Sequence, residues 1–313
     1  MTKGGSGFQI GAALGFVYLS WGSTYLVMRW AIASLSPWML ATVRAACVCL
    51  ILVGVASLLG QAWPRTRRSW AVLIFSGLLM LVVTSGTVVW GQQWVPSGET
   101  ALLMSASAFL TPWWAALGAS GDRFPRPIVA ALLVGVVGLG LVMGVGAYRP
   151  GAPAASYGAM LVGAAAWSAG TVLLRRYPVD CGMLMLIGLQ SGIAAVCFAL
   201  LAFVVDPRES TWTATSVSSM AYLIICGSVL GYAAYYWLVP RVEPALLGTI
   251  SVVNPVIAVL LGALLASERL SVAQGVGALL ILGSLVTVTL SLRHYRRREL
   301  ASAANPPRSL GPA

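Results

Sequence analysis

The sequence predicts an all-α integral membrane protein of ten transmembrane helices, arranged as two inverted five-helix repeats. Three observations predict it: very little charge, ten long apolar stretches, and an internal repeat near 145 residues. Of the 313 residues, 59% are hydrophobic and only 9% charged, and the mean hydropathy is +0.88. A soluble domain carries roughly 25% charged residues. So little charge cannot cover a water-facing surface of this size, and lipid must serve as most of the solvent.

The stretches run over 9–29, 37–59, 70–92, 100–119, 127–147, 156–174, 183–205, 217–239, 245–266 and 272–292. A helix needs about 20 apolar residues to cross a bilayer core of roughly 30 Å. Strands of a membrane barrel would show alternating segments of about 10 residues. Backbone groups in lipid must bond within their own segment, so these stretches read as helices. Breaks rich in Pro, Gly or charge separate several of them: Gln61–Ser69, Gly121–Pro127, Tyr148–Ser156 and Asp206–Ser216. The first stretch follows Lys3 but is too long for a signal peptide and precedes no small-x-small site, so it reads as the first helix. The first repeat is expected over 9–147, the second over 156–292, and a disordered cytoplasmic tail over 293–313. Cys47, Cys49, Cys181, Cys197 and Cys226 form no CxxC pair and read as small packing residues.

The formal net charge of +11 has a membrane explanation. Threading the chain from a cytoplasmic N-terminus places Lys3, Arg65, Arg67, Arg68, Arg123, Arg126, Arg175, Arg176, Arg241 and the arginines of the tail on one side. The other side keeps only Arg29, Arg149, Arg208 and Arg269, and Arg44 lies within a span. The positive-inside rule then puts both termini in the cytoplasm, and an arginine-rich chain with a single lysine points to a bacterial source and so to an inner (plasma) membrane. The rule leaves no basic surface that calls for nucleic acid.

The second half repeats the first. Trp21 and Arg29 match Trp167 and Arg175, 146 residues on; Glu99-Thr-Ala-Leu-Leu matches Glu243-Pro-Ala-Leu-Leu; Thr111-Pro112 matches Asn254-Pro255; Asp122-Arg123 matches Glu268-Arg269. Each match is weak, but their common order is not. Five is an odd number, so the second copy enters the membrane from the opposite side. Inverted repeats can exchange inward-open and outward-open states around one central site.

These residues carry a resemblance. Trp21-Gly-Ser-Thr-Tyr-Leu, Arg44 early in the second span, the Glu-x-Ala-Leu-Leu and Thr/Asn-Pro signatures of the fourth and ninth spans, and the Asp/Glu-Arg turns resemble the EamA-type transporters of the drug/metabolite transporter superfamily. The resemblance covers about 10–292. It implies two EamA domains, with spans one to four and six to nine around a central cavity and spans five and ten at the periphery. Many relatives of that kind export amino acids, metabolites or drugs; fold alone does not fix the cargo.

Arg44 is the sharpest single signal, about seven residues into its helix and so roughly 10 Å deep. An intramembrane arginine faces protein or a watery cavity. One reading makes it a cationic site for a substrate carboxylate; the other has it snorkel to the interface or cap carbonyls. Its counterpart in the repeat is Gln190, polar but neutral. Other candidates for the cavity are Ser107 and Thr111 in span four, and Ser251 and Asn254 in span nine. Further ones are Tyr232 and Tyr235 in span eight, Thr84 in span three, Trp21 and Tyr25 in span one, and Trp167 in span six. Aromatic faces with a few hydroxyls suit amphiphilic solutes, but small and hydroxyl residues also serve plain helix packing.

The carboxylates all fall in loops, at helix ends or in the tail. Glu99, Glu243, Asp122 and Glu268 read as caps and turn residues. No membrane-embedded acid is evident as a proton relay, so proton coupling would require Glu99 or Glu243 to lie in the cavity, and uniport is an option. No GxxxxGK[ST] segment is present for ATP. The single histidine, His294, lies near the tail, which excludes a Ser–His dyad or HExxH site within the membrane. The expected activity is secondary transport of small organic solutes outward, not catalysis; a lipid-handling or structural role is the alternative. No cofactor or metal is expected. The partners are a small organic solute and the bilayer, with the peripheral helices available for a homodimer.

Overall fold

The computed structural model describes residues 7–116, 126–146, 153–205, 209–239, 241–242, 246–247 and 249–304. Among these residues there is no strand. In chain order the helices are α1 (Gly7–Ile32), α2 (Pro37–Leu58), α3 (Arg67–Gly91), α4 (Ser97–Met104), α5 (Ala106–Ala116), α6 (Arg126–Gly146), α7 (Ala154–Arg176) and α8 (Met183–Val205). They are followed by α9 (Ala214–Ile224, continuing through Ile225–Leu230 and Gly231–Leu238), α10 (Ile250–Ala266) and α11 (Val272–Ala304). Six of them, α1, α2, α3, α7, α8 and α9, are long and apolar enough to cross a membrane. Shorter apolar segments lie at 128–143, 250–266 and 272–288.

The surface is inverted relative to a soluble protein. Leu50, Phe75, Phe203, Leu264 and Leu279 stand exposed, whereas Ser20, Ser76, Thr84, Gln92, Glu99 and Gln190 are buried. Apolar outer faces suit contact with lipid tails, and interior hydroxyls and amides donate largely to backbone carbonyls, as Ser20 does to Cys226 O and Gln92 to Tyr25 O.

Local chemistry sets the helix ends. Ser36 caps α2, its Oγ accepting from Met39 N at 3.2 Å, with Pro37 at the first helical position. Thr66 caps α3, and Thr213 and Ser216 form a reciprocal capping box at α9. These side chains take up N–H groups that a helix start leaves unpaired. The end of α10 is marked by Ser267 in the left-handed region at φ 53°, with Glu268 N donating to Gly262 O at 3.0 Å.

Three features differ from the sequence expectation. The stretch expected over 100–119 is two helices that meet at Ser105, where Ala108 N bonds Ser105 O in a tighter turn and Ser105 Oγ donates to Leu102 O at 2.6 Å. The serine hydroxyl competes for the carbonyl of its own turn. Residues 293–304, expected as disordered tail, continue α11. The run of Arg, Glu, Leu and Ala has high helix propensity, and no proline occurs before Pro306. Finally, α3 and α9 each contain a π-helical segment, Leu78–Val83 and Ile225–Leu230, which hydropathy cannot reveal.

The packing pairs helices across the two halves. α2 runs along α8, and α6 along α11. α1 packs on α9 and α10, while α7 packs on α3, α4 and α5. The α6–α11 crossing depends on glycine: a Cβ at Gly138 would stand 2.7 Å from Gly277 O, and one at Gly277 would stand 2.7 Å from Gly138 O. Such close backbone approach is how helices associate in lipid, where burial of apolar surface drives little. Short loops follow the same exchange. Thr211 N donates to Ser34 O at 2.9 Å and Ser36 N to Ser210 Oγ at 2.9 Å. At another pair of loops, Gln61 Oε1 accepts from Leu184 N and Met185 N at the start of α8. There the Ser69 hydroxyl and the Arg65 backbone N–H hold the Asp180 carboxyl below the usual range.

Candidate functional site

The π-helical segment of α9 sets the geometry around Arg44. A π turn bonds to the fifth residue back and leaves carbonyls that need other donors. Ser228 Oγ donates to Leu223 O at 2.9 Å, and in turn accepts from Arg44 Nε at 3.2 Å and Nη2 at 3.1 Å. Arg44 thus points from α2 across to α9. Tyr25 of α1 and Tyr232 of α9 lie within electrostatic range of its guanidinium.

Around this group a cavity opens between the helices. It is lined by Met28 of α1; Leu40, Ala41, Arg44, Ala45 and Val48 of α2; Leu81, Ser85 and Val89 of α3; Ser191, Ala194 and Phe198 of α8; and Ser228 and Tyr232 of α9. Both halves of the chain contribute walls. The volume open to the centre of a water molecule is about 50 Å³, which is room for a few waters. Arg44 is the sole charged side chain among these described lining residues.

The predicted site residues divide into four groups. Arg44 and Tyr232 line the cavity. Trp21 and Tyr235 sit beside it: the Trp21 ring lies 5.8 Å from that of Tyr232, edge to face, and 5.3 Å from that of Tyr235. Gly231 makes this approach possible, since a Cβ there would stand 2.5 Å from Trp21 Nε1. Tyr25 belongs with them, and its carbonyl accepts from Gln92 Nε2 at 3.1 Å.

Gln190 and Thr84 hold helices together instead. Gln190 is 3% exposed and donates from Nε2 to Ser76 Oγ at 2.7 Å. Thr84 Oγ1 lies 2.9 Å from both Leu79 O in its own helix and Gly163 O in α7. Ser107, Thr111, Trp167, Ser251 and Asn254 are not brought to the Arg44 cavity. The Thr111 hydroxyl returns to Ser107 O, and Trp167 O takes the Thr171 hydroxyl. Asn254 Oδ1 is a buried acceptor without a partner among the described residues.

Two residues gain roles that their sequence context hid. Glu268, expected in a turn, pairs with Arg29 of α1 and accepts from Ser97 N at 3.0 Å and Gly98 N at 3.1 Å. It therefore caps α4 from a distant part of the chain and clamps it to α1. Glu99, expected as a capping acid at the start of its helix, does lie in the first turn of α4, but it is fully buried and accepts from Tyr157 Oη at 2.9 Å. Glu243 and Asp122 lie outside the described residues. Ser85, Ser191 and Ser228 complete the polar lining; a hydroxyl in an apolar span gives no sequence signal that separates lining from packing. A second space of about 190 Å³ lies beside the clamp, lined by Gly98, Val259, Ala263, Glu268 and Leu270. Its one charged group is already held by Arg29 and α4, so it offers little to a polar solute.

Comparison with known proteins identifies the family and the fold. The EamA-like transporter family matches the chain twice, over residues 9–144 and 155–290. An inner membrane transporter of Escherichia coli (strain K12), YedA, itself uncharacterized, is 30% identical, with 89% of this chain and 90% of that protein covered. A probable amino-acid metabolite efflux pump of the same strain is 25% identical over 91% of this chain and 96% of its own length. Protein PecM of Dickeya dadantii is 24% identical over 90% and 92%. A solved crystal structure shares the fold with a TM-score of 0.63 at 19% identity, covering 93% of this chain and 99% of the other. With two matched units, relatives named as inner membrane transporters and a multi-span helical body, this chain belongs to the EamA-like transporter family of membrane transporters.

Proposed function

We propose that this protein is a secondary transporter of a bacterial inner membrane that exports small organic metabolites by alternating access. The observation that carries this reading is the Arg44 cavity, enclosed between α1, α2 and α3 of the first half and α8 and α9 of the second. A solute held there is released on one side or the other as the halves rock. The exchange of packing partners between halves supports an inverted relation: α1 meets α9 and α10 as α7 meets α3, α4 and α5. The distribution of arginines supports ten spans with both termini in the cytoplasm. The relative named as a probable amino-acid metabolite efflux pump supports the outward direction. α6 and α11, packed on each other, would stand at the rim, where a second copy has access to them.

Two measurements test the proposal together. Reporter fusions after successive helices should place the C-terminus in the cytoplasm and the Asp206–Ser216 loop outside. Purified protein in vesicles should move at least one solute of a metabolite panel with saturation kinetics. A C-terminus outside the cell, or movement of labelled lipid with no saturable solute flux, would overturn it.

A further inference from the structure

We propose that the Arg44 cavity takes organic monoanions with a small apolar body, rejects zwitterions, and exports them on the membrane potential alone. The inference rests on the transporter reading above and names its substrate class.

The charge balance of the cavity carries it. Arg44 bonds to the neutral hydroxyl of Ser228, and among the described residues no carboxylate pairs with it. The one ion pair among the described residues joins Arg29 to Glu268, and neither residue lines this cavity. A guanidinium at membrane depth is costly unless an anion or strong acceptors compensate it. Here the natural complement is an anion that enters from outside the chain. A carboxylate matches the planar fork of donors in a bidentate pair and, as a monoanion, balances its single charge.

The remaining lining sets what accompanies the carboxylate. Its other polar groups are the hydroxyls of Ser85, Ser191, Ser228 and Tyr232, and none of the described lining residues is acidic. An ammonium group beside the carboxylate would meet Arg44 without a counter-charge. The other walls, among them Leu40, Val48, Leu81, Val89 and Phe198, are apolar and suit a small aliphatic body. The cavity is therefore one-signed, unlike a site built for an amino acid, which needs an acceptor for the ammonium as well.

One-signed cargo also answers the question of drive. A monoanion leaving a cell with a negative interior moves down the electrical gradient. One charge moved is worth a tenfold concentration ratio for about 60 mV of potential. No coupling ion is then required.

The test uses the full chain in proteoliposomes loaded with matched pairs: pyruvate and alanine, 3-methyl-2-oxobutanoate and valine, 4-methyl-2-oxopentanoate and leucine. Saturable efflux of at least one 2-oxo acid is expected, ten times or more faster than of its amino acid. An inside-negative potassium diffusion potential should accelerate it. Arg44→Gln should lose that flux ten-fold or more, with an unchanged gel-filtration profile, and Arg44→Lys should retain part of it. Amino acids moving as fast as their 2-oxo acids, or flux indifferent to potential, would overturn the substrate class and leave the transporter reading standing. Saturable flux of neutral solutes alone would do the same. Absence of saturable flux for the pairs and for a wider metabolite panel would remove both.

Discussion

Thr84 and Ser228 stand 144 residues apart and make the same bond: each hydroxyl reaches the carbonyl five residues earlier, Leu79 and Leu223, at 2.9 Å. The Leu79 carbonyl also takes the Thr84 backbone N–H, the five-residue bond of a π-helical turn, so the hydroxyl is a second donor there. Polar side chains also cross between the two halves. Arg44 crosses from α2 to Ser228 of α9, and its repeat counterpart Gln190 crosses from α8 to Ser76 of α3. The two halves share one scaffold of crossing contacts, and they differ where one carries a charge and the other an amide. That difference makes the cavity asymmetric and gives it a sign.

Removing the Ser228 hydroxyl takes a partner from Arg44 and a donor from Leu223 O. Interhelical hydrogen bonds in membranes average roughly 0.6 kcal/mol. Ser228→Ala is expected to cost about 1 kcal/mol once the unpaired carbonyl is included. Its main effect should fall on the apparent affinity for solute, because Arg44 loses its fixed aim. Thermal unfolding in detergent and KM from vesicle flux measure the two effects. A lowered Tm with KM unchanged would show Ser228 to be only a helix-packing residue.

The clamp at Glu268 makes a separate prediction. Glu268→Ala leaves Arg29 without its carboxylate and strips the Ser97 and Gly98 N–H groups of their acceptor. Charge-assisted bonds of this kind contribute about 1.5–3 kcal/mol. Arg29 is 39% exposed, so screening brings the expectation to the lower end. Glu268→Gln keeps an acceptor for one N–H and should cost about half as much. Thermal denaturation of the two variants should rank them in that order, and equal stability of both with the parent would disprove the clamp.

The glycine pair at the α6–α11 crossing predicts a steric effect. Gly138→Leu forces a side chain into the space held by Gly277 O and Ile281. Overpacking of this kind costs about 1–3 kcal/mol. The crossing lies away from the Arg44 cavity, so the variant should lose stability or yield while the flux per folded molecule stays within about twofold of the parent. A normal melting temperature would show that the two helices are not held this closely.

Much of this is legible in the sequence alone. The apolar stretches and their breaks placed the helices, because a bilayer allows few other backbone solutions. Arg44 declared itself by position alone, since a charge at that depth needs a reason. Which residues face it was hidden. Spans four, eight and nine each show a face with hydroxyls or aromatic rings, but such faces serve helix packing as readily as a cavity, and only that of span eight, with Tyr232, reaches Arg44. Glu268 illustrates a second limit: its partners Arg29, Ser97 and Gly98 are remote in sequence, and only the fold brings them together. The π-helical segments have no hydropathy signature, yet they free the carbonyl that fixes Ser228.

Glu99 decides whether protons take part. It is fully buried, close to the Glu268 clamp, and bonded to Tyr157 Oη, so it meets the burial requirement for a relay. It does not line the Arg44 cavity, so solute and proton would not compete for one site. The expectation is a structural bond between α4 and α7. Gln at position 99 can still accept from the tyrosine, so Glu99→Gln should keep flux within about twofold of the parent, whereas Tyr157→Phe should lower Tm by removing the donor. Collapsing the pH gradient with the potential clamped should likewise leave flux unchanged. Loss of flux in Glu99→Gln, together with sensitivity to the pH gradient in the parent, would place a proton-coupling step at this carboxylate and rule out export driven by potential alone.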